Sequence, residues 1–258
     1  MKQVLATVLN NTQILPKIHL IQVEAADVAA EAQPGQFAMV RCGDRYKFLL
    51  RRPLSIHRVT EELSQIWLLF AITGRGTSWL AQLKDGDRLD LIGPLGKGFI
   101  VRPETQNLLL IAGGIGIAPL VFLAEQALKQ EKAVTLLLGA PTMKQLYPQR
   151  LLPQRLKCLI VTEDGSAGRK GLVTDLLPEF IDWAHQICAC GPIAMYQTMA
   201  KQLRQRKLPI QISLEVRMGC GIGACFGCSI KTKHGMKKVC QDGPVFELNE
   251  ILWEEIKL

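Results

Sequence analysis

The chain has 258 residues, 48% of them hydrophobic and 21% charged, which is the composition of a folded chain with a sizeable core and excludes disorder, collagen and coiled coil. Its net charge of +8 is dispersed, has no nucleic-acid reader motif and comes with only 6% aromatics, too few for a base-stacking platform. No nucleic-acid partner is therefore expected; phosphate-bearing ligands or an acidic protein partner account for the excess.

The N-terminal stretch MKQVLATVLNNTQ lacks the apolar core and cleavage site of an export signal, so a cytoplasmic location is expected. Short apolar or alternating runs follow at Gln3–Asn10, Ile18–Glu24, Phe37–Cys42, Leu54–Val59, Gln65–Ile72 and Arg88–Ile92. Between them lie turn residues at Pro34-Gly35, Cys42-Gly43-Asp44, Asp85-Gly86-Asp87 and Gly93-Pro94. With one helix over Thr77–Leu83, this pattern predicts an N-terminal antiparallel β-barrel over 1–102.

Thr105–Ala124 carries no charge and has the length of a membrane span, but Gly113, Gly114, Gly116 and Pro119 interrupt it. It reads instead as a strand (Leu108–Ala112) followed by a helix (Pro119–Lys129), and no membrane contact is expected. Strands at Val134–Leu138, Leu159–Thr162, Ile187–Cys190 and Ile210–Glu215 alternate with helices near Val173–Phe180 and over Pro192–Lys207. That rhythm predicts a Rossmann-like α/β domain with a parallel sheet over 103–213. Residues 214–258 form a small module rich in Cys and Lys.

Four of the eight cysteines crowd into that module as Cys220-x4-Cys225-x2-Cys228, then eleven residues, then Cys240. This is the spacing of plant-type [2Fe–2S] ferredoxins, in which each iron takes two thiolates. The neighbouring Gly219, Gly221, Gly223 and Gly227 let a tight loop wrap a cluster. A zinc site would normally use two paired knuckles. Weaker signals precede it. Gly113-Gly114-Ile115-Gly116-Ile117-Ala118-Pro119 follows an apolar strand, where glycines let a pyrophosphate approach a helix N-terminus, although the spacing is not GxGxxG. Cys190-Gly191-Pro192 ends a strand, where a thiol can meet a nicotinamide or simply be buried. Arg52-Pro53-Leu54-Ser55 offers a guanidinium for phosphate, and Gly74-Arg75-Gly76-Thr77 a helix start.

In this order the motifs resemble the ferredoxin-reductase superfamily with a C-terminal [2Fe–2S] module, and within it the electron-transfer subunits of NAD-linked (type B) dihydroorotate dehydrogenases. The resemblance spans essentially the whole chain, including Pro34-Gly35-Gln36-Phe37, Leu50–Ile56, Thr162–Ser166 and Met218–Cys225. It implies that Arg52, Gly76 and Thr77 hold an FAD pyrophosphate. Pro53, Leu54 and Ser55 would line the isoalloxazine edge, and Leu69, Phe70 and Ala71 the adenosine and ribityl side. Gly113, Gly114 and Gly116 would take NAD, Cys190 would face the nicotinamide, and Cys220, Cys225, Cys228 and Cys240 would ligate the cluster. Leu54 departs from the Tyr or Phe of the wider superfamily, which removes an aromatic stacking partner for the flavin.

The resemblance further implies an oxidoreductase subunit in pyrimidine (UMP) biosynthesis, in a heterotetramer with two FMN-containing catalytic subunits. Electrons would run from the partner's FMN through the cluster and FAD to NAD+, because a flavin exchanges both single electrons and a hydride. Two alternatives stay open on sequence alone. One is a diaphorase-like subunit of a hydrogenase, sulfide dehydrogenase or ferredoxin:NADP oxidoreductase; the other is a non-enzymatic zinc-binding adaptor. Arg169 and Lys170 are candidates for an NADP 2′-phosphate, or solvated loop charges.

Overall fold

The computed structural model describes residues 1–43, 48–60, 62 and 64–256. Its first strands are β1 (Lys2–Leu15), β2 (Ile18–Glu24), β3 (Phe37–Val40), β4 (Arg52–Val59), β5 (Gln65–Ala71) and β6 (Arg88–Leu95). Short helices α1 (Ala26–Ala29) and α2 (Arg75–Leu80) follow β2 and β5. The strands close in the order β1-β2-β5-β4-β3-β6 into the expected barrel.

Two of these expectations change, and a third is only partly described. β1 continues past Asn10 because it serves two partners, β6 through Lys2–Thr7 and β2 through Thr7–Leu15. Its polar second half, Asn10 to Gln13, shows no apolar alternation; it is held by pairing with β2 and by Asn11, whose Nδ2 donates to the Leu80 and Leu83 carbonyls at 2.9 Å each. Gly93-Pro94 is not a turn between elements: β6 runs through it to Leu95, where its pairing with β3 slips register, and an irregular ladder tolerates proline. The Cys42-Gly43-Asp44 turn is described only as far as Gly43; Asp44 lies outside the described residues.

The second half contains β7 (Asn107–Gly113), α3 (Ala118–Lys129), β8 (Ala133–Ala140), β9 (Lys157–Thr162), β10 (Arg169–Lys170), α4 (Leu177–Phe180), β11 (Gln186–Cys190), α5 (Ile193–Gln202) and β12 (Ile210–Ser213). Leu108 to Ala112 are buried, as expected of a central parallel strand covered on both faces. The uncharged stretch 105–124 is thus split between β7 and α3, and among the described residues no helix is long and apolar enough to cross a membrane. α5 ends at Gln202 rather than Lys207: Leu203 is the last buried anchor, and the chain must turn back to enter β12.

The C-terminal segment adds the hairpin β13 (Ser229–Thr232) and β14 (Gly235–Lys238), then α6 (Val239–Asp242) and β15 (Val245–Glu247). β15 pairs antiparallel with β12, completing a sheet of order β10-β9-β8-β7-β11-β12-β15. One apolar core joins the parts: Phe37 and Met39 of the barrel, Ile187 and Ile212 of the sheet, and Cys228 and Cys240 belong to the same cluster.

Candidate functional site

β4 delivers Arg52, Pro53, Leu54 and Ser55 to the wall of a cavity of about 290 Å³ between barrel and sheet. Leu69, Phe70 and Ala71 at the end of β5, and Thr77 of α2, complete the barrel side. Thr77 Oγ1 accepts the Thr73 N–H at 2.9 Å and donates to the Gly74 carbonyl at 3.1 Å, which fixes the start of α2. Gly76 stands behind Arg52: a Cβ there would lie 3.1 Å from the Arg52 Nε.

The two adjacent arginines do different work. Arg51 donates to both Asp90 oxygens at 2.9 and 2.8 Å. Burial pushes the Asp90 carboxyl up, but hydrogen bonds from Arg41, Arg51 and Gln3 outweigh it and hold the pKa below the usual value. Arg52 donates to the Leu50 carbonyl at 2.7 Å and has no carboxylate partner among the described residues, so its charge is available to an anion in the cavity. An uncompensated guanidinium beside a helix start and an apolar slot fits a flavin dinucleotide.

A second cavity of about 520 Å³ opens at the carboxyl ends of the parallel strands. β8 and β9 lie to one side of β7 and β11 to the other, so the chain direction switches at β7, where open α/β sheets bind ligands. Gly113, Gly114 and Gly116, Gly139 to Pro141, Glu163, and Gly191 with Pro192 line it. Gly116 is required by contact: a Cβ would overlap the Cys190 carbonyl and stand 2.7 Å from the Gly191 nitrogen. The two glycine turns therefore pack backbone to backbone. Tyr196 secures the second, accepting the Gly191 N–H at 2.9 Å and donating to the Ser213 carbonyl at 2.7 Å.

Sequence reasoning missed the groups between the cavities. Ile115 and Glu215 line both, and Ala118 lines the first. Glu215 is open to cavity space but walled by protein, and burial raises its carboxyl pKa. Its position directly after β12, at the ligand end of a parallel strand, was the available signal. Glu163, beyond β9, was quoted in a motif without a role. Cys190 is 1% exposed and not on either wall; its thiol lies behind them, pushed well above its ordinary pKa by burial and by Glu215. Arg169 and Lys170 do not line the cavity, and Arg169 pairs with Glu179.

The four C-terminal cysteines share one loop and the start of α6. Ile222, Ala224 and Cys225 direct backbone N–H groups at Cys220 Sγ at 3.5, 3.3 and 3.4 Å. Gly227 does so to Cys225 at 3.5 Å, Cys240 to Cys228 at 3.4 Å and Gly223 to Cys240 at 3.2 Å. Burial pushes Cys220 up, yet these donors outweigh it and bring the thiol down to about 6. Cys240 is pushed up to about 12 by burial and by Cys228. Gly221 has φ +73° and its Cβ position is filled by Met39, so only glycine closes the loop against β3. Backbone donors converging on thiolate sulfurs fit an iron–sulfur cluster.

Residues 110–201 match the oxidoreductase NAD-binding domain, and residues 215–252 the iron–sulfur cluster binding domain of dihydroorotate dehydrogenase B. A solved structure of an NADH-dependent reduced ferredoxin-NADP oxidoreductase superposes with TM-score 0.88 at 29% identity, covering 98% of this chain and 91% of that one. A ferredoxin NADP+ reductase from Neisseria gonorrhoeae shares the fold with TM-score 0.67 at 18% identity, over 83% of this chain and 100% of its own. Fold and site thus define an NAD-linked oxidoreductase subunit of ferredoxin-reductase type carrying an iron–sulfur module. Among curated relatives, the electron transfer subunit of dihydroorotate dehydrogenase B (NAD(+)) from Desulforamulus reducens is 39% identical over 256 residues, covering 96% of this chain and 98% of the relative. The corresponding subunit of Bacillus cereus (strain Q1) is 36% identical over 253 residues, 95% and 96% of the two chains. The chain belongs to this family of electron transfer subunits, which disfavours the zinc adaptor and the other diaphorase-like readings.

Proposed function

We propose that this chain carries electrons from the FMN of a dihydroorotate dehydrogenase catalytic subunit to NAD+ in pyrimidine biosynthesis. The observation that carries the reading is the succession of three sites in contact: cysteine loop, barrel cavity and sheet cavity. Met218 lines the barrel cavity two residues before Cys220, and Gly221 packs on Met39, whose strand pairs Met39 with Pro53.

Bound between barrel and sheet, FAD supplies exchange of a hydride with NAD and of single electrons with the cluster. Arg52 neutralises its pyrophosphate, aided by the α2 start at Gly76 and Thr77. Pro53, Leu54 and Ser55 hold the isoalloxazine edge, and Leu69, Phe70 and Ala71 the ribityl and adenosine side. Gly113, Gly114 and Gly116 admit the NAD pyrophosphate to backbone donors. Cys190 would sit behind the nicotinamide site as a neutral thiol, and Glu215, which lines both cavities, would border both cofactors. Cys220, Cys225, Cys228 and Cys240 hold the cluster, with the loop N–H groups stabilising sulfur charge. Working units of 1–102, 103–213 and 214–258 follow from these roles, although β15 stitches the last onto the sheet.

Cys225 is exposed, with Ile222 46% and Phe226 65% exposed beside it, which suits docking of the FMN subunit over the cluster. Of the lysines nearby, Lys231 pairs with Glu255 at 2.8 Å and Lys238 lies 4.7 Å from the Phe226 ring, while Lys233 and Lys237 have no ion-pair partner among the described residues and can steer an acidic face. The assembly proposed is a heterotetramer with two chains of each kind. A cytoplasmic setting suits eight free cysteines. Metal and flavin analysis tests the cofactor set: about two irons and two acid-labile sulfides per chain, with one FAD, are expected. Stoichiometric zinc without iron in anaerobically purified protein would overturn it.

A further inference from the structure

β4 and β5 slip register between Ile56 and Arg58, which leaves His57 as the extra residue of a bulge. Bulges re-aim side chains, and this one turns His57 out of the barrel ladder into the seam against α3. There the imidazole is 0% exposed. Its Nδ1 lies 2.7 Å from the Ala118 carbonyl oxygen and its Nε2 2.9 Å from the Tyr147 hydroxyl. A carbonyl only accepts, so Nδ1 carries the proton and Nε2 accepts from Tyr147. Burial pushes the pKa down to about 3, and the ring is neutral at ordinary pH.

The three segments that meet on this ring are those that build the two cavities. His57 is two residues from Ser55 on the flavin strand. Ala118 follows the glycine turn that carries Ile115, which faces both cavities. Tyr147 lies within the loop that leaves β8 through Pro141, on the sheet cavity. A buried polar contact of this kind tolerates little displacement, because an unmade hydrogen bond costs more than the bond contributes.

We infer that His57 is a positioning residue for hydride transfer: it locks the flavin strand, the glycine turn and the loop after β8 at one spacing, and so sets how the two rings meet. The inference rests on the FAD and NAD sites proposed above. Hydride transfer is sensitive to such spacing, since a misplacement of about 1 Å can cost on the order of 100-fold in rate. A histidine that merely filled the seam would affect folding and flavin retention without separating rate from binding.

The test is anaerobic stopped-flow reduction of the FAD-loaded, cluster-loaded chain by NADH, reading the limiting rate and the NADH dissociation constant separately. His57→Phe keeps the bulk and removes both hydrogen bonds. It is expected to lower the limiting rate at least about tenfold while the dissociation constant stays within about threefold and FAD content is unchanged. His57→Asn, whose amide nitrogen takes the place of Nδ1, should recover most of the rate. Tyr147→Phe, which removes only a hydroxyl, should fall between His57→Phe and wild type. A wild-type rate in His57→Phe, or in Tyr147→Phe should His57→Phe not fold, overturns the inference, as does an Asn variant as slow as Phe. A wild-type chain that NADH fails to reduce overturns the functional reading itself, and this inference with it.

Discussion

Ile115 and Glu215 face each other's cavities: each lines both the barrel pocket and the sheet pocket, one from the glycine turn and one from the end of β12. Among the described residues, the groups shared by the proposed flavin and nicotinamide sites are thus one apolar side chain and one carboxyl. Glu215→Ala is expected to slow flavin reduction by NADH about tenfold or more with FAD retained, through lost ring positioning. An unchanged limiting rate in stopped flow would return Glu215 to a passive wall.

Glu215 also has a pH signature. Its carboxyl pKa is raised by burial, so the native state holds the proton more tightly than the unfolded chain does. Stability from this group therefore falls as pH rises through and above the ordinary carboxylate range. Glu215→Gln, which cannot ionise, should raise Tm more at pH 8 than at pH 5. Equal shifts at both values would mean that the carboxyl is not desolvated.

Arg51 and Arg52 should separate cleanly. Arg52→Ala removes a charge-assisted phosphate contact of roughly 1.5–3 kcal/mol and is expected to weaken FAD retention by about one to two orders of magnitude. Arg51→Ala breaks the Asp90 pair and should lower Tm while keeping FAD. Dilution followed by flavin fluorescence checks both; flavin loss from Arg51→Ala alone would reverse the roles.

The sheet cavity carries Glu163 and Glu215 but no Lys or Arg on its described wall, which disfavours a 2′-phosphate. The chain should prefer NADH to NADPH, and Glu163→Gln should narrow the ratio of kcat/KM values about tenfold or more. A ratio that does not move would place the selecting group elsewhere.

How much of this was legible in the sequence depends on what encoded it. The barrel and the alternating half are local patterns, and each appeared in the structure near its expected place; the cysteine spacing is a local pattern as well. The polar half of β1 and the hairpin β13–β14 are held by pairing that no periodicity announces. Gly93-Pro94 reads as a turn locally, yet tertiary pairing carries it through β6. Glu215 and His57 gain their meaning from segments far off in sequence, the glycine turn and the loop at Tyr147, so composition gives no sign of them. Cys190 was visible as a strand-end thiol, but its burial behind the cavity walls was not.

Cys190→Ala tests whether that thiol matters despite its burial. Ala keeps the turn against Gly116, so folding and FAD content should be retained while NADH reduces the flavin more slowly. An unchanged rate would leave Cys190 a packing residue.

The most direct measurement adds this chain to the FMN-containing catalytic subunit and follows NAD+ reduction by dihydroorotate at 340 nm. The complex should form NADH with dihydroorotate, while this chain alone should pass electrons only from NADH to artificial acceptors. A catalytic subunit that neither binds the chain nor gains NAD+ activity from it, or an isolated chain that oxidises dihydroorotate itself, would contradict the account.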